Sequence, residues 1–339
     1  MDRAPINIAD IARRAGVSNA AVSYALNGRP GVSSSTRRRI VDIADQLGWR
    51  PNSSARALHR SRTDAVGITM VEPEPRPVVM PEFLLRFLPG VQEDLTTHGI
   101  LLVLHSSPDI ATANEAYRQW RNEKRVDGVI VLNPLVRDRR LRHLEELGLP
   151  AVVVGDARRI SSLSSVRTDD EQAMRLGVAH LMELGHRRIG RIGIRSDFLH
   201  SRGREQLFHS VLRKAGLRAD LSTYHALEDP LPGAVLDWLA TDDPPTAIIH
   251  EDCTTAIEMM LALQARGVRI PADVSLLCWD DAILARAVNP QLTVLRRNVF
   301  DYGRRVAQQL RSVIETGEHR HLSGSETELV IRQSTAPAS

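Results

Sequence analysis

The apolar positions of this chain follow two different rhythms. Over residues 6–49 they recur at helical spacing. Ile8, Ile11, Ala12 and Ala15 fall at i, i+3 and i+4, which predicts a short first helix stopped by Gly16. Ser18 is placed to cap a second helix running to about Asn27, with Ala21, Val22, Ala25 and Leu26 inward. Gly28-Arg-Pro-Gly31 reads as a turn. Ser33 then caps a third helix, with Ile40, Val41, Ile43, Ala44 and Leu47 inward and Gly48 ending it. Pro51 to Leu58 is a further short, helix-compatible segment, and Arg60-Ser-Arg-Thr63 reads as a linker.

From Ala65 the rhythm changes to short apolar runs alternating with amphipathic stretches. Strands are predicted at 65–71, 100–105, 127–132, 151–154, 188–194, 246–249 and 274–279. Helices are predicted at roughly 83–97, 111–123, 138–147, 170–184, 202–215, 253–266 and 299–315. This alternation implies an α/β body with parallel sheets, helices on both faces and ligands at the carboxyl ends of strands. The segment is long for one such sheet, so two lobes with a cleft between them are expected. Pro89 falls inside a predicted helix and should kink it or delay its start. The last residues, Ser334-Thr-Ala-Pro-Ala-Ser339, read as a fraying tail.

Charge separates the same two regions. Residues 1–62 hold eleven arginines, no lysine and four aspartates, a balance of +7, whereas the remainder carries −4. A basic head on a mildly acidic body points to an anionic partner for the head, nucleic acid or an anionic membrane surface. No apolar run approaches the length of a membrane span, and the N-terminus lacks the pattern of a secretory signal. Two cysteines, Cys253 and Cys278, cannot form a disulfide framework, so a reducing cytosol is the expected compartment.

Helix, glycine-containing turn and helix in a basic segment is the helix-turn-helix pattern. Here it spans Ile8 to Asn27 and presents Asn19, Ala20, Ser23 and Tyr24 outward. The continuation narrows the reading. Asn27-Gly-Arg-Pro-Gly-Val-Ser33, Thr36-Arg37, Leu47-Gly-Trp-Arg-Pro-Asn52 and Ala55-Arg-Ala-Leu58 resemble the head and hinge of the lactose-repressor (LacI/GalR) family of bacterial transcription regulators. In the body, Val126-Asp-Gly-Val-Ile-Val131, Leu184-Gly-His-Arg-Arg-Ile189, Gly267-Val-Arg-Ile-Pro271 and Trp279-Asp-Asp281 continue the resemblance more weakly.

The resemblance implies a helix-turn-helix head at 1–50, a hinge helix and linker at 51–62, and an effector-binding and dimerisation body at 63–333 of the periplasmic-binding-protein type. One lobe would comprise 63–166 and 296–325, the other 167–293 and 326–333, leaving 334–339 as the tail. It implies phosphate contacts for Ser18, Asn27, Ser33 and Thr36, and base reading by Asn19 and Ala20. Tyr24 stands where many relatives carry arginine. A tyrosine hydroxyl cannot reproduce the two parallel hydrogen bonds of arginine to guanine, so operator preference should differ. A hinge helix of seven residues is too short to persist alone. The resemblance implies that it folds against the partner's hinge and the minor groove, with Leu58 wedging between base pairs and Asn52 and Ala55 beside it.

In the cleft, Phe83, Arg204 and Asp280 match effector-contact positions, and Asp170 and Asp252, each where a strand or loop meets a helix, are further candidate contacts. Asp170 and Asp252 also suit helix N-caps, and Asp280 could cap the short helix that follows it. Leu207 replaces a glycine found in relatives, and the proline-rich stretch 72–81 departs most from them. The implied partners are a pseudo-palindromic DNA operator, a small-molecule effector of carbohydrate type, and a second copy of the chain. No C-terminal heptad zipper suggests a tetramer. No phosphate-binding loop, nucleophile elbow or zinc His-Glu-x-x-His is present, so neither an enzyme, a cofactor nor a metal is expected. His250-Glu-Asp-Cys253 looks metal-like but is explained by a strand running into a helix.

Overall fold

A computed structural model describes residues 6–26, 29–49, 62–71, 82–224, 233–324 and 326–338. Two units separate, Met1–Thr63 and Asp64–Ser339.

The first unit holds α1 (Ile8–Ala15), α2 (Asn19–Leu26) and α3 (Ser34–Gln46). Asn7 opens α1 with a capping box: its side chain accepts from the Asp10 amide, and the Asp10 carboxylate accepts from the Asn7 amide. Gly16 ends the helix in the left-handed region, at φ +64°. Ser18 Oγ accepts from the Ala21 amide and Ser33 Oγ from the Thr36 amide, so α2 and α3 begin on hydroxyl caps. Ile11, Ala12, Ala15, Val22, Ala25, Ile40 and Ala44 close the small core. Val41, expected inward, is 39% exposed. Ile40 and Ala44 already fill the seam, and one residue further turns the side chain about 100° away.

The second unit contains two six-stranded sheets. The first is built from β1 (Ala65–Val71), β2 (Leu101–Ser107), β3 (Gly128–Val131), β4 (Ala151–Val154), β5 (Ser164–Arg167) and β11 (His321–Ser323). Its order is β11-β5-β4-β3-β1-β2, and every pairing is parallel. The second comprises β6 (Ile189–Gly193), β7 (Ser222–Tyr224), β8 (Ala247–His250), β9 (Ser275–Trp279), β10 (Thr293–Arg297) and β12 (Thr327–Val330). Its order is β12-β10-β9-β8-β6-β7, parallel except where β12 joins β10. β3, β4 and β8 are buried throughout, as central parallel strands must be.

The helices are α4 (Glu82–Thr97), α5 (Ile110–Asn122), α6 (Arg139–Leu147), α7 (Asp170–Glu183), α8 (Leu199–Lys214), α9 (Gly233–Leu239), α10 (Cys253–Gln264) and α11 (Val299–Thr316). The chain passes between lobes three times: from β5 into α7, from β10 into α11, and from β11 into β12. Pro89 lies inside α4 and does not delay its start. Beside it the helix comes so close to α11 that a Cβ on Gly90 would lie 1.9 Å from the Phe300 carbonyl oxygen.

The tail does not fray through residue 338. Ser334 is fully buried. Its Oγ accepts from the Thr293 amide at 2.8 Å and donates to the Leu276 carbonyl, and the Ala338 amide donates to the Leu184 carbonyl. The segment thus satisfies backbone groups at the N-terminal ends of β9 and β10, which explains its order. No helix among the described residues is long and apolar enough to cross a membrane.

Candidate functional site

In the first unit, α2 exposes Asn19, Ala20 and Tyr24, with Ser23 half-buried beside them. The second helix of a helix-turn-helix is the element that enters a major groove, and these side chains lie on the open face of that helix. Tyr24 is 41% exposed, yet its ring is held against Gly31: a Cβ there would touch Tyr24 Cδ2 at 3.4 Å. Ser18 uses one lone pair in capping and keeps its hydroxyl proton to donate. Ser33 donates to Thr36 Oγ1 at 2.9 Å, joining the two expected phosphate contacts. Arg13, Arg14, Arg29, Arg38 and Arg39 are exposed around them. Asn27, Asn52, Ala55 and Leu58, with the proline-rich stretch 72–81, lie outside the described residues.

The second unit brings three of the expected effector residues into one network where the chain crosses between lobes. Arg204, on α8, is nearly buried, and its Nε donates to Asp170 Oδ2 at 3.0 Å. Asp170 Oδ1 accepts from Thr168 Oγ1 at 2.7 Å. Arg297, at the end of β10, donates from Nε and Nη2 to the two oxygens of Asp280 at 2.6 and 2.7 Å, and from Nη1 to Thr168 Oγ1 at 3.3 Å. Three aromatic rings back these charges. The Arg204 guanidinium lies 4.4 Å from the Trp279 ring centroid, and that of Arg297 lies 5.4 Å from Phe83 and 6.0 Å from Tyr302. Phe83 also stacks on Phe87, so it serves core and site together.

The electrostatics follow from burial and pairing. Burial would raise the Asp170 carboxyl, but Arg204 and Arg297 hold it below the usual carboxylate range. Burial works against the charge on Arg297, and Asp280 more than offsets it, so the guanidinium stays charged. Burial pushes the Tyr302 phenol up, and its hydroxyl donates to the Val166 carbonyl at 2.7 Å. His200, at the start of α8, is held down to about 3 by burial and by Arg204.

The capping roles resolve. Asp169, not Asp170, caps α7, accepting from the Gln172 amide. Asp252 caps α10, accepting from the Thr255 amide and hydroxyl at 2.8 and 2.9 Å. Asp280 caps no helix, and its backbone sits at φ +68°. Leu207, in place of the glycine, packs at the edge of the α7–α8 core. The His250–Cys253 stretch is β8 running into α10, with Glu251 bonded to Arg191 and Ser201.

Sequence reading did not find Arg297, Thr168, Trp279, Tyr302 or His200. It also missed the fully buried Arg191–Glu251 pair below them. A charged residue in the middle of Ile189-Gly-Arg-Ile-Gly193, a fully buried strand, was the available signal for Arg191.

Comparison with known proteins gives two family matches. The model for bacterial regulatory proteins of the lacI family matches residues 7–52, and that for a periplasmic binding protein-like domain matches residues 178–335. An uncharacterized HTH-type transcriptional regulator in the aml 5′ region of Streptomyces limosus is 30% identical over 343 residues, covering 97% of this chain and 94% of the relative. Among solved structures, a transcriptional regulator CelR–cellobiose complex is 27% identical with TM-score 0.72, covering 97% of this chain and 99% of that one. The Lac repressor dimer bound to operator and the anti-inducer ONPF matches with TM-score 0.82 at 21% identity, covering 98% of this chain and 100% of that one. The last is a likeness of fold.

Proposed function

The chain belongs to the lacI family of bacterial regulatory proteins, and on that premise we propose that it is a homodimeric transcriptional repressor whose operator affinity is set by a polar small molecule held between its lobes. Residues 1–50 act as the DNA-reading head, 51–62 as the hinge and 63–333 as the ligand-binding lever. Two heads lie in successive major grooves, and Leu58 of each hinge wedges the minor groove between them.

The observation that carries the ligand class is the pair of Arg–Asp couples set against aromatic rings. Arg204 keeps both Nη groups for a ligand beside Asp170, Asp280 can accept from a ligand once Arg297 leaves it, and together the two couples add no net charge. A sugar presents hydroxyls that both donate and accept, plus an apolar ring face suited to Phe83, Trp279 or Tyr302. The structurally similar CelR complex, described with cellobiose, supports the same class.

Exposed apolar residues support self-association. β2 is an edge strand carrying Leu101, Val103 and Leu104 on the surface, and Leu261, Ile283 and Leu284 are exposed on the other lobe. An uncovered apolar edge of this kind calls for a partner. A ligand alters DNA binding only through unequal affinity for the two lobe arrangements. Leu58→Ala should weaken operator binding and leave small-molecule binding nearly unchanged. Unaltered operator affinity would defeat the hinge assignment.

A further inference from the structure

The two arginines of the lobe junction are not equivalent. Arg204 uses only Nε on Asp170, and among the described residues its Nη1 and Nη2 form no hydrogen bond although the side chain is 4% exposed. That edge is open to a ligand. Arg297 is fully committed: Nε and Nη2 take both oxygens of Asp280, Nη1 takes Thr168 Oγ1, and the guanidinium lies over Phe83 and Tyr302. It therefore occupies the acceptor pair and the ring faces that a bound sugar would use.

We infer that Arg297 is an internal stand-in for the ligand at Asp280 and, through Thr168, the pin that fastens two of the three lobe crossovers until a ligand displaces it. Three observations support this. The Arg297–Asp280 contact is a two-pronged charge-assisted pair, the strongest geometry available to these groups. Arg297 ends β10, at the β10–α11 crossover, while Thr168 lies at the β5–α7 crossover, so one guanidinium spans both. Asp280 is held at a positive φ that a residue other than glycine seldom adopts, which marks a position fixed by its surroundings.

A ligand reaching Asp280 must supply replacement donors and free Arg297, which unties Thr168 in the same event. Ligand entry and crossover mobility are thereby one step. Arg297 acts through Asp280 and Thr168 and is a positioning residue. The inference rests on the proposed cleft reading for what displaces Arg297, but not for what Arg297 does in the ligand-free protein.

The test uses the full chain without ligand, as wild type, Arg297→Ala and Arg297→Lys, with amide hydrogen exchange read at 167–171, 280–283 and 297–300. Arg297→Ala should accelerate exchange in these segments by about tenfold or more, with the head unaffected. Guanidinium chloride at a few millimolar, far below unfolding concentrations, should restore slow exchange in Arg297→Ala by refilling the vacated position. Arg297→Lys, with one ammonium and no fork, should fall between. Unchanged exchange overturns the inference. So does acceleration that guanidinium fails to reverse, because that marks a packing defect.

Operator affinity on a duplex enriched by the wild type from a random pool should differ at least fivefold between wild type and Arg297→Ala and converge in guanidinium. Equal affinities overturn the regulatory part. If the wild type enriches no duplex, the repressor reading fails, while the exchange result still decides the role of Arg297.

Discussion

The crossing of α4 and α11 offers a sharp test of how the proposed ligand site is built. A Cβ on Gly90 would lie 1.9 Å from the Phe300 carbonyl oxygen, and one on Gly303 would lie 2.2 Å from that of Phe87. A carbon and a carbonyl oxygen settle at about 3.3 Å, so Gly90→Ala forces a separation of about 1.4 Å. The obstacle is backbone, and no rotamer change relieves it. The seam is lined by Phe87, Val91, Leu95, Tyr302, Val306 and Leu310, all within the first-lobe core.

Burial of such side chains contributes roughly 2 kcal/mol each, or about 12 kcal/mol for the seam. A radial gap of about 0.5–1 Å already forfeits about a quarter to a half of close contact, so the expected loss is about 3–6 kcal/mol. This is at or above the upper end for overpacking. Gly303→Ala should cost a similar amount. The double variant should cost well under the sum, because helices parted for one methyl already admit much of the other. Gly203→Ala is the control: it lies in α8 with nothing within 4 Å of a new Cβ and should gain about 0.5–1 kcal/mol. Urea unfolding of the full chain, with the body's transition followed by tryptophan fluorescence, measures all four. A Gly90→Ala variant as stable as the control, or strict additivity in the double variant, would refute the reasoning. Since α4 carries Phe83 and α11 carries Tyr302, the same displacement should also weaken ligand binding.

Three further outcomes are expected. Ser334→Ala removes the acceptor for the buried Thr293 amide and should cost about 1–3 kcal/mol in urea unfolding, whereas a fraying tail would make it silent. The His200 imidazole is depressed to about 3 from 6.5. The unfolded chain therefore takes up that proton first, and stability, full above about pH 6.5, declines as pH falls toward 3. His200→Asn should flatten that acid limb, and an unchanged limb would contradict the assignment. Tyr24→Arg restores a two-pronged donor on α2 and should shift the selected operator toward guanine at one position per half-site, by about 1–3 kcal/mol, as read by selection from randomised duplexes.

Most of the architecture was legible in the sequence because it rests on local periodicity. The strands predicted at 65–71 and 151–154 are observed at those bounds, and the helix predicted at 299–315 is α11, at 299–316. Periodicity failed where sequence and burial part company. β5 reads Ser-Ser-Val-Arg and β7 reads Ser-Thr-Tyr; both are held by neighbouring strands rather than by apolar content. β10 and α9 were likewise not marked as elements.

At the site, Arg204 and Asp280 could be named by resemblance and Asp170 by its place at a helix start, and the structure joins the three in one network. Arg297 could not, because its partners Asp280 and Thr168 lie 17 and 129 residues away and only the crossovers bring them close. Trp279 and Tyr302 belong to the two lobe cores as well as to the site, so no charge or spacing sets them apart in the sequence. The choice between cap and ligand contact at Asp170 and Asp252 needed helix starts fixed to a single residue, a precision that residue pattern does not supply.

The proposed repressor function requires that the head grip duplex DNA. The decisive measurement is the dissociation constant of the full chain for a duplex it has enriched, followed by fluorescence anisotropy across a range of salt concentrations. Displaced counterions should give a steep, linear fall of log affinity with log salt, about 0.9 in slope for each phosphate engaged, and a small molecule bound in the body should move the whole line. A chain that enriches no duplex, or whose affinity is indifferent to salt, would contradict it.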